Sequence, residues 1–128
     1  MNNTQELRII LAENDPAVIK AINEILKDRG YLSIMVSTKK LLLQHLNEKL
    51  CHLTLIGELE DSDSILKTMR EVVLASPLTA TILMTDIPAN EVHDKTEGYG
   101  ILGDIGRTHA SKDLQYLLDQ FEKIQGLE

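Results

Sequence analysis

The chain has 128 residues (14.4 kDa), 43% apolar and 26% charged, with a mean hydropathy of −0.10. These values fit one compact domain with its own core and exclude a disordered or fibrous chain. A net charge of −7 and 3% aromatic residues argue against nucleic-acid binding, since a phosphate backbone is repelled and bases find little to stack on.

The apolar runs are short, Ile9 to Ala12 being typical, and none could span a bilayer. That first run is followed at once by acids and does not read as a secretory signal. A lone cysteine, Cys51, rules out an intramolecular disulfide and a Cys-rich zinc site, which suits a cytoplasmic protein.

Along the chain, β-rich apolar runs alternate with segments of helical period. Leu7 to Ala12 is the first predicted strand, followed by Glu13, Asn14, an N-cap Asp15 and Pro16 at the first helical position. The helix places Val18, Ile22, Ile25, Leu26 and Arg29 on one face and stops at Gly30. Tyr31 to Val36 is the second strand, and Ser37-Thr38 caps a helix carrying Leu42, Leu46 and Leu50.

The third strand, His52 to Ile56, runs into Gly57 and an acidic loop, Glu58 to Asp63. Ile65, Met69, Val72 and Val73 mark the next helix, closed by Pro77. Thr79 to Met84 is the fourth strand, residues 88–97 a weak helix, and Gly100 to Ile105 a short fifth strand. After Ser111 the last helix aligns Leu114, Leu117, Leu118, Phe121 and Ile124.

Five strands alternating with five helices predict a three-layer α/β/α fold, a doubly wound parallel sheet of order 2-1-3-4-5. Ligands of such sheets bind beyond the carboxyl ends of the strands, where strand order reverses. That directs attention to Glu13-Asn14, Gly57-Glu58, Thr85-Asp86 and Arg107.

Over its whole length this pattern resembles the receiver domain of bacterial response regulators, a flavodoxin-like fold. Arg8 to Pro16 is similar to that family's opening strand and acidic pair. His52 to Gly57 is similar to the strand ending in the phosphoacceptor Asp, and Thr79 to Thr85 to the strand ending in the Ser/Thr switch. Gly100 to Leu114 is similar to the fifth strand, its Lys-Pro dipeptide and the last helix. Positions 13, 57, 85 and 107 lie 44, 28 and 22 residues apart in turn, separations typical of the family.

The chemistry departs from the pattern. The acceptor position is Gly57, which has no side chain to phosphorylate, and the acidic pair is Glu13-Asn14, with one carboxylate replaced by an amide. Magnesium relies on carboxylate charge, so its binding is expected to be weak or absent, and no cofactor is implied. Arg107 stands for the family's Lys, with a different donor geometry, and Thr108 for the Pro after it. Asp104 occupies the aromatic switch position, and only Thr85 matches.

Glu58, as the next residue along a strand, is expected to face away from where a Gly57 side chain would point. The acids Glu58, Glu60, Asp61 and Asp63 read either as a site for a cation or basic partner or as a solvated loop charging the next helix's N-terminus. Cys51 and His52 read as packing residues, and His45, His93 and His109 lack a partner at metal-ligand spacing, although His109 lies close to Arg107. The glycines at 98, 100, 103 and 106 form no phosphate-binding fingerprint, and no catalytic constellation is found.

The resemblance therefore implies a pseudo-receiver, not an enzyme, acting by contact with a sensor kinase or an output protein. It also implies that the face of the fourth helix, fifth strand and last helix serves for dimerisation or for contact with an output domain, with Ile87, Val92, Tyr99, Ile101 and Leu102 as the apolar candidates. The chain would be a stand-alone adaptor or a piece of a larger regulator. Two alternatives remain: a working receiver with a relocated acid such as Glu58, and an anion-binding module built on Arg107, Thr85 and Asn14.

Overall fold

A computed structural model describes residues 7–108 and 111–126, so His109 lies outside the described residues. Strands β1 (Ile9–Ala12), β2 (Ser33–Val36), β3 (Leu53–Ile56), β4 (Ala80–Met84) and β5 (Gly103–Ile105) form one parallel sheet of order β2-β1-β3-β4-β5. Helices α1 (Pro16–Asp28), α2 (Lys39–Glu48), α3 (Ile65–Ala75), α4 (Ala89–Thr96) and α5 (Ser111–Gln125) alternate with them. This is the predicted doubly wound fold.

The inner strands β1, β3 and β4 are buried on both faces, which is why they read as nearly continuous apolar runs, while the edge strands β2 and β5 are partly exposed. Ile9, Leu11, Leu53, Leu55, Ile82 and Met84 point to one side, against Val18, Ile22 and Leu26 of α1 and Leu114, Leu118 and Phe121 of α5. Ile10, Ala12, Ile56 and Leu83 point to the other, against Leu42 and Leu46 of α2, Met69 and Val72 of α3 and Val92 of α4. Register pairs Ala12 with Val36 on one side and Ile56 on the other, and Ile56 with Leu83, so the strand ends share one edge.

Helix starts follow their caps. The Asp15 side chain accepts from the Ala17 N–H, Thr38 from Leu41 and Ser64 from Lys67. Gly30, at φ +84°, supplies the left-handed residue beyond the end of α1.

Two helical stripes predicted from periodicity end on residues that the core does not take up. Leu50 falls outside α2 and is exposed, because Lys49 is already extended and the Arg8 guanidinium takes the carbonyl oxygens of His45 and Lys49. Ile124 lies in the last turn of α5 but faces solvent. Strand β1 starts at Ile9 and β5 at Gly103, both later than predicted.

Arg29 is not a core-facing residue but a clamp between the end of α1 and α5. Its Nε donates to Gln115 Oε1 (2.7 Å), Nη1 to Glu122 Oε2 (2.9 Å) and Nη2 to Asp119 Oδ1 (2.8 Å) and the Gln115 carbonyl (3.1 Å). The Tyr31 hydroxyl adds a bond to Glu122 Oε2 (2.7 Å), and burial with that carboxylate pushes its pKa up. Replacing Arg29 by Ala strands partly buried acceptors, so Arg29→Ala should lower stability by about 2 kcal/mol. The check is a lower urea midpoint at unchanged slope.

Candidate functional site

The site lies where crossovers leave β1 in opposite directions, at the carboxyl ends of β1 and β3. The ladder reaches Gly57, whose N–H donates to the Ala12 carbonyl (2.7 Å), and then slips by a residue, the Asn14 N–H donating to the Glu58 carbonyl (2.9 Å). Glu13 and Gly57 are therefore neighbours on adjacent strands, on the side of the sheet that carries α1 and α5.

Glu13 does not reach toward solvent. It is 1% exposed, and its side chain folds over the end of β3. A Cβ built on Gly57 would collide with Glu13 Oε1, so the Glu13 carboxylate occupies the space a side chain at 57 would enter. Only glycine leaves that space open.

The buried carboxylate is fully met by donors. Arg107 grips it with both arms of its fork, Nη1 to Oε1 and Nη2 to Oε2, each at 2.7 Å. Backbone N–H groups of Asn14 (3.2 Å) and Asp15 (2.9 Å) donate to Oε2, and that of Glu58 (3.2 Å) to Oε1. A carboxylate has about four lone-pair sites, and five donors converge on this one. Arg107 is itself placed by its backbone N–H on Asp86 Oδ1 (3.0 Å), and its side chain is 10% exposed. The hydrogen bonds it donates to Glu13, followed by the nearby charges of Glu13, Glu58 and Asp15, hold its pKa above the ordinary guanidinium value despite burial.

Sequence reasoning picked out Glu13, Gly57 and Arg107 as separate departures from a pattern; their convergence on one another was not legible in it. The cation expected to await an anion already has one. Asn14, by contrast, is exposed, and the Thr85 hydroxyl accepts from the Ile87 N–H (3.1 Å). Both line a cleft of about 410 Å³ with Gly57, Glu58 and Ser62.

Glu58 departs from the expected alternation. Strand β3 ends at Ile56, so the pleat no longer governs position 58, and Glu58 Oε1 comes to 3.7 Å from Arg107 Nη2 with its side chain 69% exposed. The first turn of α3 holds no acid, the loop's Asp63 standing just before its N-cap Ser64. Asp61 accepts from the backbone N–H groups of Lys39 and Lys40, capping α2, and those bonds lower its pKa.

Two histidines bind the same arginine. The Arg8 backbone N–H donates to His52 Nδ1 (3.0 Å), and Arg8 Nη2 contacts His45 Nδ1 (3.1 Å). Cys51 is buried and donates to the Leu53 carbonyl (3.1 Å), and burial raises its thiol pKa. Asp104 sits mid-β5, where burial and the negative charge of Asp113 push its carboxyl pKa up.

No protein-family model and no curated protein matches the sequence. Solved structures do match the fold, receiver domains among them. One is the signal receiver domain of a Luxo repressor protein from Vibrio parahaemolyticus, at TM-score 0.80 and 16% identity, covering 94% of this chain and 93% of that one. Another is the signal receiver domain of an HD domain-containing protein from Pseudomonas fluorescens Pf-5, at TM-score 0.79 and 19% identity over 94% and 89%. A third is a CheY-like response regulator receiver domain from Methanospirillum hungatei JF-1, at TM-score 0.78 and 18% identity over 95% and 98%. At such identities the likeness establishes the fold: this chain has the CheY-like, flavodoxin-type architecture.

Two outcomes follow from the geometry. Gly57→Ala should cost about 2 kcal/mol by overpacking against Glu13, and most of that cost should vanish in a Glu13→Ala background, as a double-mutant cycle in urea would read. Asp104 is held more protonated in the folded state, so its ionised form opposes folding at neutral pH and the opposition fades as pH falls through the carboxylate range. Asp104→Asn should therefore melt higher than the parent at pH 7, with the gap closing in acid.

Proposed function

We propose that this chain is a pseudo-receiver, a signalling domain of two-component type that works through protein contacts and accepts no phosphoryl group. The observation that carries this reading is the Glu13 carboxylate standing in the space of an acceptor side chain, above a glycine. Acyl phosphorylation at 57 needs a carboxylate there, and Gly57 offers none.

Magnesium fits these residues poorly. The amide of Asn14 replaces one carboxylate, Gly57 removes a second, and the lone pairs of Glu13 are taken by N–H donors. Among the described residues no group of three or more His, Cys, Asp or Glu side chains could hold a metal ion. On this reading the chain works without a metal cofactor, as a signalling module and not as an enzyme.

Its partners, on this reading, are a sensor kinase or an output protein. The face of α4, β5 and α5 is the proposed contact or homodimer surface, with Val92 buried beneath it and Ile87, Tyr99 and Ile101 packed against the same core. The net charge of −7 supports protein partners over nucleic acid. No described helix is long and apolar enough to cross a membrane, and a cytoplasmic setting belongs to the same proposal.

The test is incubation with a small acyl-phosphate donor and Mg²⁺, read by intact mass with an active receiver as control. The expected result is an unchanged mass. A single base-labile phosphoryl adduct would overturn the reading. Mapped to Glu58, whose carboxylate leans toward Arg107, it would make the chain a working switch with a displaced acceptor.

A further inference from the structure

The donors around Glu13 come from three separate loops. Asn14 and Asp15 belong to the connection after β1, Glu58 to the one after β3, and Arg107 to the one after β5. Backbone N–H groups converging with a guanidinium fork are the general means by which proteins hold oxyanions. Here they surround a carboxylate that belongs to the chain itself.

We propose that these groups form an oxyanion site whose resident ligand is the Glu13 side chain, and that the site takes up a free carboxylate or phosphate when that side chain is removed. The inference deepens the pseudo-receiver reading and rests on it for its meaning. The anion in this site is a tethered group, supplied by the chain itself. Arg107 then stays bound to the ends of β1 and β3, and the loop that carries it keeps one arrangement. Glu13 acts as a positioning residue: it fixes Arg107, and through Arg107 the Gly106–Thr108 segment.

Three features support a site over an ordinary ion pair. The carboxylate is fully desolvated, at 1% exposure, so its charge is balanced entirely by the cage. The fork is bidentate, with both bonds at 2.7 Å, which matches a planar carboxylate. The missing side chain at Gly57 leaves the volume that the anion fills.

The experiment uses the full chain carrying Glu13→Ala, melted with formate, phosphate or chloride at matched ionic strength. Formate or phosphate should raise its midpoint by about 5 °C near saturation, while the parent protein stays unchanged. Adding Arg107→Ala to the variant should abolish the response. No rise, or an equal rise with chloride, would overturn the proposal.

Should Glu13→Ala fail to fold, Glu13→Gln keeps the volume and removes the charge. Its Asn14, Asp15 and Glu58 amide protons should move upfield and exchange faster than the parent's, and unchanged resonances would overturn the proposal. An acyl phosphate formed on the parent chain would remove the pseudo-receiver reading while leaving the anion titration readable. Failed anion uptake would leave the parent's phosphorylation result untouched.

Discussion

A carboxylate held out of water must be answered by charge and by hydrogen bonds, because an uncompensated one costs several kcal/mol. Glu13 is answered by Arg107 from the far end of the chain and by three backbone N–H groups from two loops. Much of the carboxyl edge follows from that requirement. Glu58 must present its N–H inward, the turn into α1 must aim those of Asn14 and Asp15 at one oxygen, and the segment after β5 must bring a guanidinium within 2.7 Å. Position 57 must have no side chain at all. The remaining architecture, two apolar layers on a parallel sheet, brings the three strand ends close enough for this to happen.

Most of the architecture was legible in the sequence because its signals are local. Apolar runs buried on both sides announce parallel strands, and Asp15, Thr38 and Ser64 cap the helices they precede. Legibility failed where a distant group decided the outcome. Leu50 continues the apolar stripe of α2, yet the helix ends earlier, where Arg8, more than thirty-five residues upstream of His45, meets its last carbonyls. Asp61 reads as the charge of the helix that follows and instead caps the helix before it. Periodicity carries no information about either.

The site was half legible for the same reason. Spacing picked out Glu13, Gly57, Thr85 and Arg107 as residues of one strand-end pocket. Each departure, taken singly, looked like a loss of chemistry: an amide for an acid, a glycine for an acceptor, an arginine for a lysine. The signal that could have joined them is their complementarity. A glycine beside a long acid on the neighbouring strand makes room, and a two-pronged cation suits a planar carboxylate better than a single ammonium does.

The exclusion between Glu13 and any side chain at 57 also bears on the routes open to this sequence over time. An aspartate arriving at position 57 alone would enter occupied space and face a buried negative charge. Shortening Glu13 alone would leave Arg107 and three N–H groups without their anion. Each single step toward a phosphorylatable pocket passes through a less stable molecule, and only a paired change avoids it. The steric contact at Gly57 thus ties positions 13 and 57 together, so that neither can change size without an answering change in the other.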